Sequence, residues 1–581
     1  MATRVTVDPV TRIEGHLRIE METDGGMITN AWSEMTQFRG IETILEGRDP
    51  RDAWAFTQRI CGVCTTVHAI ASCVAVENAI GSFPPDQARL IRDIVLASAG
   101  VQDHVIHFYH LHALDFVDVA AAATADPQAA VDFAREIKST WKGNTLERMT
   151  AVRDTVAGIV ASGQLSIFTG GYWGHPAYKL PPAADLMAVA HYLDALEFQR
   201  SMIRINTVFG GKNPHPNFLV GGMACTIDPN HSESINQVQI DQIGAWIADS
   251  VEFVHNCYVP DALAILGVYP EYFDIGASSP NYLAVGMNGA TYAGDPASSK
   301  LPPSPMTKSV HPGVIMNDNF TDILPLDPTK IEEWVSSAWY TYQDGDVGLT
   351  PDKGETKVNY TGPTPPYEWL ADNNEYTWSK APRYDGKPMQ VGPLARVILA
   401  YAQGEPATKE LVDMALAQYG VPAAKLNSTA GRTLARAVEC QTSVDMLAND
   451  TFPAFVANLK QGDIDVFDET KWEPSTWPKQ CSGYSMVEVA RGMLSHWVTI
   501  ENGKIKRYQA VVPSTWNGGG RDSKGVMGPY EQALAGNGKH PLADVERPLE
   551  VLRTIHSFDP CMSCAVHVLD PTGAELVAVT S

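Results

Sequence analysis

Apolar and polar side chains alternate along the first 35 residues of the chain. The alternation runs over residues 4–7 and 16–21, and Asp24, Gly25 and Gly26 follow it. A period of two is typical of strands that bury one face, and a pair of glycines favours a tight turn. The sequence therefore predicts a short antiparallel β unit at the N-terminus.

Helical periodicity dominates most of the remaining chain. Apolar residues recur at intervals of three and four, and Asp, Ser or Pro stands at several of the predicted helix starts. These amphipathic or wholly apolar segments cover residues 51–80, 86–123, 128–161, 183–209, 232–256, 424–459 and 484–496. We expect the body of the protein to be a helical bundle.

Two segments depart from this pattern. Residues 258–392 are rich in Gly, Pro, Ser and Asn, with one short helix predicted near 330–342, and their aromatic content is too high for a flexible linker. Alternating residues on both sides of Asn502 and Gly503 predict a hairpin. The predicted fold class is mostly α: a large helical bundle with small β units near both termini and an ordered excursion over its surface.

Composition supports a globular chain and excludes several functions. The 581 residues are 44% apolar and 19% charged, and a prior of about 150 residues per domain would suggest about four units. A net charge of -24 gives no electrostatic footprint for nucleic acid. No apolar run reaches the ~18 residues of a membrane span, and the N-terminus lacks the residue order of a signal peptide. We expect a soluble chain without an export signal of its own.

The nine cysteines fall into two classes by their spacing. Five are isolated, as small buried side chains often are, and an odd number argues against a disulfide scaffold. The other four form Cys61-x-x-Cys64 and Cys561-x-x-Cys564 near opposite ends of the chain. Thiolates at this spacing can share a metal, and four of them favour zinc, an iron–sulfur cluster or another transition metal. The wide separation of the pairs argues against a local zinc ribbon, but a structural zinc held by all four thiolates stays open.

The residues around both cysteine pairs resemble a known family. Arg-x-Cys-Gly-x-Cys-x-x-x-His at residues 59–68 and Asp-Pro-Cys-x-x-Cys-x-x-His at residues 559–567 are similar to motifs of the large subunit of nickel-iron hydrogenases. The resemblance extends to residues 12–16, 39–42, 209–216 and 490–497, and so covers essentially the whole chain. It implies one large domain over residues 1–567, followed by an extension over residues 568–581.

The resemblance implies a nickel ion bound by all four thiolates. Cys61 and Cys561 would be terminal ligands, whereas Cys64 and Cys564 would bridge to an iron that carries cyanide and carbon monoxide. A thiolate-rich site is soft and electron-donating, which suits this chemistry. H2 would be split heterolytically, with the hydride going to the metals and the proton to the thiolate of Cys561.

The resemblance also implies four residues that act around the metals. Glu14 would accept the proton from the cysteine, because protons leave a buried site in short steps. Arg491 would lie over the open metal position as a fixed cation, with the carboxylates of Asp103 and Asp559 around it. Ala490 stands where many members of the family have proline.

A second metal site, usually for magnesium, is implied as well. Glu42 and His567 resemble its ligands, completed by waters and by a backbone carbonyl that we place near Ala510. We expect His68 to hydrogen-bond near a bridging thiolate. Three of the four histidines within residues 104–112 lack cysteine or carboxylate company at ligand spacing, so we predict packed or hydrogen-bonded core histidines there.

Processing and partners follow from the same resemblance. A maturation endopeptidase would remove residues 568–581 after nickel insertion, leaving His567 at the C-terminus. Since the five scattered cysteines form no iron–sulfur motif, electrons need a second chain. In this family the second chain is an iron–sulfur small subunit, which passes electrons to a membrane cytochrome or another acceptor. The two chains form a heterodimer or a dimer of heterodimers. The two chains would be exported together to the periplasmic side of the cell membrane.

Three alternatives compete with a catalytic subunit for H2 uptake. An H2-sensing regulatory hydrogenase would generally lack the extension over residues 568–581, so its presence favours the enzyme. A respiratory complex I subunit of the same fold has lost the metal, and the four intact cysteines argue against it. A structural zinc protein with the same cysteines would be distinguished by elemental analysis.

Overall fold

The chain opens with a three-stranded antiparallel sheet. The computed structural model describes residues 3–165, 168, 171–292, 310–342, 348–354 and 356–565. Strands β1 (Thr3–Val7), β2 (Leu17–Asp24) and β3 (Met27–Met35) pair in the order β1-β2-β3. The turn between β2 and β3 places Gly25 at φ 58° and Gly26 at φ 77°, backbone that glycine adopts without steric cost. The predicted N-terminal β unit is confirmed.

Helices make up the body of the molecule, as the periodicity predicts. In chain order they are α1 (Ile41–Ile44), α2 (Ala53–Thr57), α3 (Val67–Ile80), α4 (Asp86–Ile106), α5 (Val119–Ala122), α6 (Pro127–Glu136), α7 (Leu146–Ser162), α8 (Pro182–Met202), α9 (Arg204–Gly210), α10 (Gln237–Phe253), α11 (Val259–Val268), α12 (Pro393–Gln403), α13 (Pro406–Tyr419), α14 (Thr429–Met446), α15 (Phe452–Lys460), α16 (Pro513–Gly518), α17 (Pro529–Ala535), α18 (Leu549–His556) and α19 (Met562–Ala565). Helix α4 continues as a π-helical segment over His107–His112.

The remaining strands are short except for three near the C-terminus. They are β4 (Tyr282–Ala284), β5 (Thr291–Tyr292), β6 (Gly313–Ile315), β7 (Ile323–Leu324), β8 (Ile331–Trp334), β9 (Tyr340–Thr341), β10 (Lys357–Val358), β11 (Ala381–Tyr384), β12 (Gln480–Val489), β13 (Gly492–Glu501) and β14 (Lys504–Val511). The last three strands and β5 form one sheet in the order β14-β13-β12-β5. The predicted hairpin is the β13-β14 pair, and its turn has Asn502 at φ 52° and Gly503 at φ 74°.

Two helices predicted from apolar runs are strands in the structure. Residues 484–496 belong to β12 and β13, which are antiparallel and pair Val489 with Gly492. The inner ends of both strands are buried on both faces, so their sequence is a continuous apolar run that periodicity cannot distinguish from a buried helix. The helix predicted near 330–342 is also wrong, because β8 and β9 occupy that segment. β8 pairs with β11 and β9 pairs with β10, in two separate two-stranded sheets.

The excursion over residues 258–392 is ordered wherever the structure describes it. Its aromatic residues Trp339, Tyr340 and Trp378 join a buried apolar cluster with the N-terminal sheet and with α17 and α18. This packing explains why the segment carries too many aromatic residues for a linker. The excursion thereby holds the two ends of the chain in one core.

The largest apolar cluster is built around α3, α4 and α14 and includes three of the paired cysteines, Cys61, Cys64 and Cys561. Helix α3 lies against β12 and β13, and it is apolar on nearly all sides, as expected of a helix inside a large core. None of the helices in the described ranges is long and apolar enough to cross a membrane.

Candidate metal centre

The N-terminal cysteine pair lies in a tight loop that leads into α3. Cys61 follows a 3-10 turn over Gln58–Ile60 and has extended backbone. The backbone N–H groups of Val63 and Cys64 donate to Cys61 Sγ over 3.3 and 3.2 Å. Hydrogen bonds of this kind stabilise the thiolate, the form of cysteine that binds metal.

The C-terminal pair brings a third thiol to the same point. Cys561 Sγ lies 3.5 Å from Cys61 Sγ, although 500 residues separate the two in sequence. The sulfur atoms of Cys61, Cys64 and Cys561 all lie within 4.8 Å of one another, and all three residues are buried. Thiolates bound to one metal at about 2.3 Å stand roughly 3.8 Å apart, so this set fits a thiolate-bound metal.

Two of the expected ligands, Cys564 and His567, lie at the C-terminal end of the chain. The backbone of Cys564 belongs to α19, one turn after Cys561, but its side chain lies outside the described part of the structure. His567 lies outside the described residues altogether, as do residues 568–581. The placement of both ligands therefore stays a prediction.

Glu14 lies beside the C-terminal cysteine. Cys561 Sγ is 3.5 Å from Glu14 Oε2, and the same oxygen accepts a hydrogen bond of 3.1 Å from the backbone N–H of Ser563. The backbone N–H of Met562 donates to the carbonyl of Glu14 over 2.7 Å. Gly15, at φ 81°, is required here, because a Cβ at this position would lie 2.5 Å from the Ser563 nitrogen. Burial raises the pKa of Glu14, and the negative charge of Cys61 adds to that rise.

Arg491 is a buried cation held between two buried carboxylates. It lies in the turn between β12 and β13, with its guanidinium 3.4 Å from Asp103 and 3.2 Å from Asp559. Burial raises the pKa of Asp103 to about 7, although Arg491 opposes that rise. The pKa of Arg491 is raised because the charges of Asp559, Cys561 and Asp103 outweigh the cost of burial. The three residues named together from the sequence thus form one charged group beside the thiols.

Ala490, which stands where many members of the family have proline, belongs to the same turn. Its carbonyl accepts a hydrogen bond of 3.2 Å from Arg396, which also pairs with Glu439 and Glu488. Arg396 is completely buried. The buried Arg396, held by two glutamates, therefore fixes the backbone of the turn that carries Arg491, although residue 490 is not proline.

Glu42 and Ala510 meet where the second metal site is expected. The backbone N–H of Ala510 donates to Glu42 Oε1 over 2.8 Å. Lys380 Nζ lies 3.8 Å from Glu42 Oε2, and it also contacts Glu333 at 3.3 Å and Gln509 at 2.6 Å. Burial raises the pKa of Glu42 to about 7, and Lys380 works against this rise. A buried carboxylate with charged and polar neighbours suits a hard cation.

His68 is the first residue of a buried hydrogen-bonded chain. Its Nδ1 lies 3.1 Å from His496 Nε2, and His496 Nδ1 lies 2.6 Å from the hydroxyl of Tyr508. Burial lowers the pKa of His68 to about 4, against the influence of Cys61. A neutral ring fixed by this chain can orient a hydrogen bond toward the sulfur atoms.

The histidine-rich segment within residues 104–112 is bonded to protein groups. His104 contacts Glu439 at 2.9 Å, His107 the carbonyl of His556 at 2.6 Å, and His112 the hydroxyl of Thr433 at 2.9 Å. These contacts are those of hydrogen-bonded core histidines.

Two features of the site were missed by reasoning from the sequence. Lys380 was missed because a single lysine forms no motif with its neighbours in sequence. The contact between His68 and His496 was missed because only the fold brings the two residues together.

Comparisons with known proteins agree with this geometry. The family model "Nickel-dependent hydrogenase" matches residues 39–567, and a "HoxL-like" model matches residues 4–38. The "Uptake hydrogenase large subunit" of Rhizobium leguminosarum bv. viciae is 45% identical over 592 residues, covering 99% of this chain and 97% of the relative. The "Hydrogenase-1 large chain" of Escherichia coli (strain K12) is 43% identical over 588 residues, with the same coverage of both chains.

A solved structure shows the same fold. The Ni-Fe-Se hydrogenase from D. vulgaris Hildenborough in the as-isolated oxidized state superimposes with a TM-score of 0.73 at 29% identity, covering 98% of this chain and 100% of that chain. The family model spans both cysteine motifs and the structural match covers nearly the whole of both chains, so the fold and the convergence of the thiols have one explanation. The chain belongs to the nickel-dependent hydrogenase family, as a large subunit with the nickel-iron type of centre.

Proposed function

We propose that this chain catalyses the uptake of H2, splitting it into two protons and two electrons. The observation that carries the proposal is the convergence of Cys61, Cys64 and Cys561, with Glu14 Oε2 3.5 Å from Cys561 Sγ. Relatives named uptake hydrogenases are 45% identical over nearly the whole chain, which favours oxidation of H2 over H2 sensing.

The four paired cysteines would hold the metals, with Cys61 and Cys561 as terminal ligands and Cys64 and Cys564 as bridges to an iron that carries cyanide and carbon monoxide. When bound, the nickel-iron group supplies a soft, electron-rich centre that polarises H2 and accepts the electron pair of its bond. The Cys561 thiolate would accept the first proton released in that cleavage, and the second proton would leave by the same route as the two electrons pass to the partner. The N–H groups that donate to Cys61 Sγ keep the neighbouring thiolate in the metal-binding form.

Glu14 would carry the proton away from Cys561. The distance of 3.5 Å between Cys561 Sγ and Glu14 Oε2 allows a direct transfer. Burial raises the pKa of Glu14, which makes the carboxylate a better proton acceptor than an exposed one. Ser563 holds the accepting oxygen in place through its backbone N–H.

Arg491 would orient H2 and stabilise the charge that develops at the centre. Its guanidinium is fixed by Asp103 and Asp559, so no reorganisation is needed as the reaction proceeds. Glu42, a backbone carbonyl near Ala510 and His567 would hold a magnesium ion, and His68 would orient a bridging thiolate.

The electrons require a second chain. The described residues hold no second group of three cysteines, so this part of the chain offers no site for a further cluster. As a large subunit, the chain implies a small-subunit partner, and we propose that this partner carries iron–sulfur clusters and passes electrons to a membrane cytochrome or another acceptor. Maturation would include removal of residues 568–581 by an endopeptidase, and export with the partner would place the enzyme on the periplasmic side of the membrane.

Replacement of one thiol tests the proposal. We expect Cys561→Ala to abolish nickel binding and H2-dependent dye reduction, because the nickel loses a terminal ligand and the proton its first acceptor. Cys440→Ala is the matched control: Cys440 is equally buried, on α14, with a weak contact of 3.9 Å to the Val101 carbonyl. Nickel content by elemental analysis and the rate of dye reduction should stay normal in the control. A Cys561→Ala enzyme with normal nickel and normal rate would refute the proposal.

A further inference from the structure

We propose that Asp115 and His556 form a clamp that sets Glu14 against Cys561, and that both act as positioning residues for the proton transfer. The clamp consists of Asp115 and His556 together with their partners Arg12 and Thr11. Its residues belong neither to the cysteine motifs nor to the charged group around Arg491, although the backbone N–H of Asp559 donates to the His556 carbonyl over 2.9 Å. The inference rests on the proposed role of Glu14 as proton acceptor.

Asp115 is the centre of the clamp. Its carboxylate is completely buried and forms an ion pair with Arg12 through one oxygen and with His556 Nδ1, at 2.6 Å, through the other. Burial alone would raise the pKa of Asp115, but the charges of Arg12 and His556 hold it well below its usual range. Asp115 is therefore a permanent anion that binds one side chain from each end of the chain.

His556 connects the two ends of the chain directly. Its Nδ1 faces Asp115, and its Nε2 lies 2.7 Å from the backbone carbonyl of Thr11. Both ring nitrogens therefore face acceptor atoms of the protein. The last residue of α18 is thus joined to the backbone that leads to Glu14.

Helix α18 is fixed to the same residue by a second side chain. Arg553 donates from Nε to the backbone carbonyl of Asp115 over 2.8 Å and bonds the hydroxyl of Tyr272 over 3.0 Å. Its guanidinium also lies over the rings of Phe116, at 4.7 Å, and Tyr269, at 4.8 Å. The helix that precedes the C-terminal cysteine motif is therefore rigidly attached to Asp115.

Two short segments leave the clamp and meet again at the proposed proton-transfer pair. One runs from Thr11 to Glu14 between β1 and β2, with Arg12 at φ 55°. The other runs from His556 to Cys561, and a β-bridge joins Glu14 to Cys561. The Thr11–Glu14 segment belongs to no strand or helix of its own. The clamp holds one end and the bridge holds the other, while the Val10 N–H donates to the Leu17 carbonyl over 2.8 Å at the base of the same loop.

The position of Glu14 matters because the transfer depends on its contact with Cys561. At 3.5 Å, a further displacement would separate the sulfur from the carboxylate oxygen. A misplacement of about 1 Å can cost about 10²-fold in rate.

A metal ion is not needed to explain the cluster. Ligand atoms of His112, Asp115 and His556 lie within 4.8 Å of one another. However, Arg12 occupies one oxygen of Asp115, and both ring nitrogens of His556 are engaged by protein acceptors. The contacts are those of an ion pair, and they leave no free donor set for a cation.

Two variants of the holoenzyme test the clamp. Asp115→Asn keeps the shape of the carboxylate and removes its charge, and Arg12→Gln weakens only the N-terminal arm of the clamp. We expect each to lower kcat for H2 oxidation by about 10-fold or more, with an unchanged KM for H2. The solvent isotope effect on kcat should rise, because proton transfer becomes slower than the other steps. If Asp115→Asn does not fold, the kinetics of Arg12→Gln alone still test the clamp.

A second buried His–Asp pair supplies the matched control. His191, on α8, lies 2.7 Å from Asp261 and 2.7 Å from the Asn144 amide oxygen, and it is completely buried. His191→Gln should lower the melting temperature but leave kcat and the isotope effect at wild-type values. The clamp is refuted if His191→Gln changes them as Asp115→Asn does, or if both clamp variants match the wild type.

Glu14→Gln, measured in parallel, separates the clamp from the proposed function. If Glu14→Gln slows turnover and the clamp variants do not, the clamp alone is wrong. If Glu14→Gln itself leaves kcat and the isotope effect unchanged, the proposed role of Glu14 is wrong and the clamp falls with it. Slow turnover with a raised isotope effect in all three variants, and not in His191→Gln, supports both.

Discussion

The carboxylate of Glu14 and the thiol of Cys561 combine two properties that proton transfer requires. They are close, at 3.5 Å, and the surroundings of the carboxylate favour its protonated form. Burial is the main cause of the raised pKa of Glu14, and the neighbouring Cys61 adds to it. Proximity and a raised pKa are what the proposed role of Glu14 as proton acceptor requires.

Replacement of this single carboxylate has a clear expected result. Glu14→Gln keeps the size of the side chain but cannot accept a proton, so H2 oxidation should fall by about 10²-fold to 10⁴-fold while nickel stays bound. The control is Glu34→Gln in the same sheet. Glu34 is buried and lies 2.8 Å from Arg18 rather than beside a cysteine, so the rate should not change. A Glu14→Gln enzyme with the wild-type rate of dye reduction would contradict the proposal.

Only part of the site could be found from the residues themselves. The cysteines of the two Cys-x-x-Cys pairs have a spacing that points to metal binding, whereas Glu14 and Arg491 were found only through the resemblance of their surrounding motifs. Lys380 and Asp115 were missed, since each becomes significant only through partners far away in sequence. Contacts of this kind arise from the tertiary fold, and no local pattern contains them.

At the scale of elements, local chemistry predicted turns better than it predicted buried strands. The hairpin around Asn502 and Gly503 was correct, because both residues accept a left-handed backbone that the turn requires. The helix predicted over residues 484–496 was wrong, because strands buried on both faces lose the alternation that identifies a strand. The difference matters for the site, since the turn between these strands carries Arg491.

Helix α8 makes a prediction about pH and stability. Asp185, in its first turn, is buried and accepts a hydrogen bond of 2.9 Å from the backbone N–H of Asp118. Burial raises the pKa of Asp185 to about 8, and the negative charge of Asp118 adds to that effect against the hydrogen bond. The folded state thus holds a proton that the unfolded state releases above about pH 4, so this residue makes stability fall as pH rises from about 4 to about 8.

Asp185→Asn should remove that part of the pH dependence. The gain in melting temperature over the wild type should be largest near pH 8 to 9 and smallest near pH 5, as measured by thermal unfolding across this range, with activity unchanged. The control is Asp126→Asn, an exposed residue that caps α6 by accepting from the Gln128 N–H. Its melting temperature should follow the pH dependence of the wild type. Equal gains for Asp185→Asn at every pH would contradict the expectation.

At the scale of the whole molecule, the length of the chain serves one site. Residues 500 positions apart place their sulfur atoms 3.5 Å from each other, and the N-terminal sheet shares a core with the excursion and with α18. A count of about four domains from length alone is therefore a poor guide here. The pairing of two distant cysteine motifs predicted the closure of the chain, but the path of the excursion could not be predicted.

We expect the partner to cover the loop of the N-terminal cysteines. Val63, between Cys61 and Cys64, is 41% exposed although both cysteines are buried. A partner that covers this loop would bring an electron acceptor near the thiols. Val63→Asp should therefore reduce co-purification of the small subunit, because a charge would be buried without a partner. Val238→Asp is the control, since Val238 is 77% exposed on α10 and its substitution should leave the complex intact. Equal recovery of the complex with both variants would contradict this placement.

Infrared spectroscopy of the purified holoenzyme tests the proposed centre most directly. A nickel-iron site with cyanide and carbon monoxide on the iron gives absorption bands from these ligands in a region free of protein bands, and the bands should shift when H2 is added. We expect such bands together with about one nickel per chain, and their loss in Cys561→Ala but not in Cys440→Ala. A nickel-replete protein without these bands would contradict the proposal.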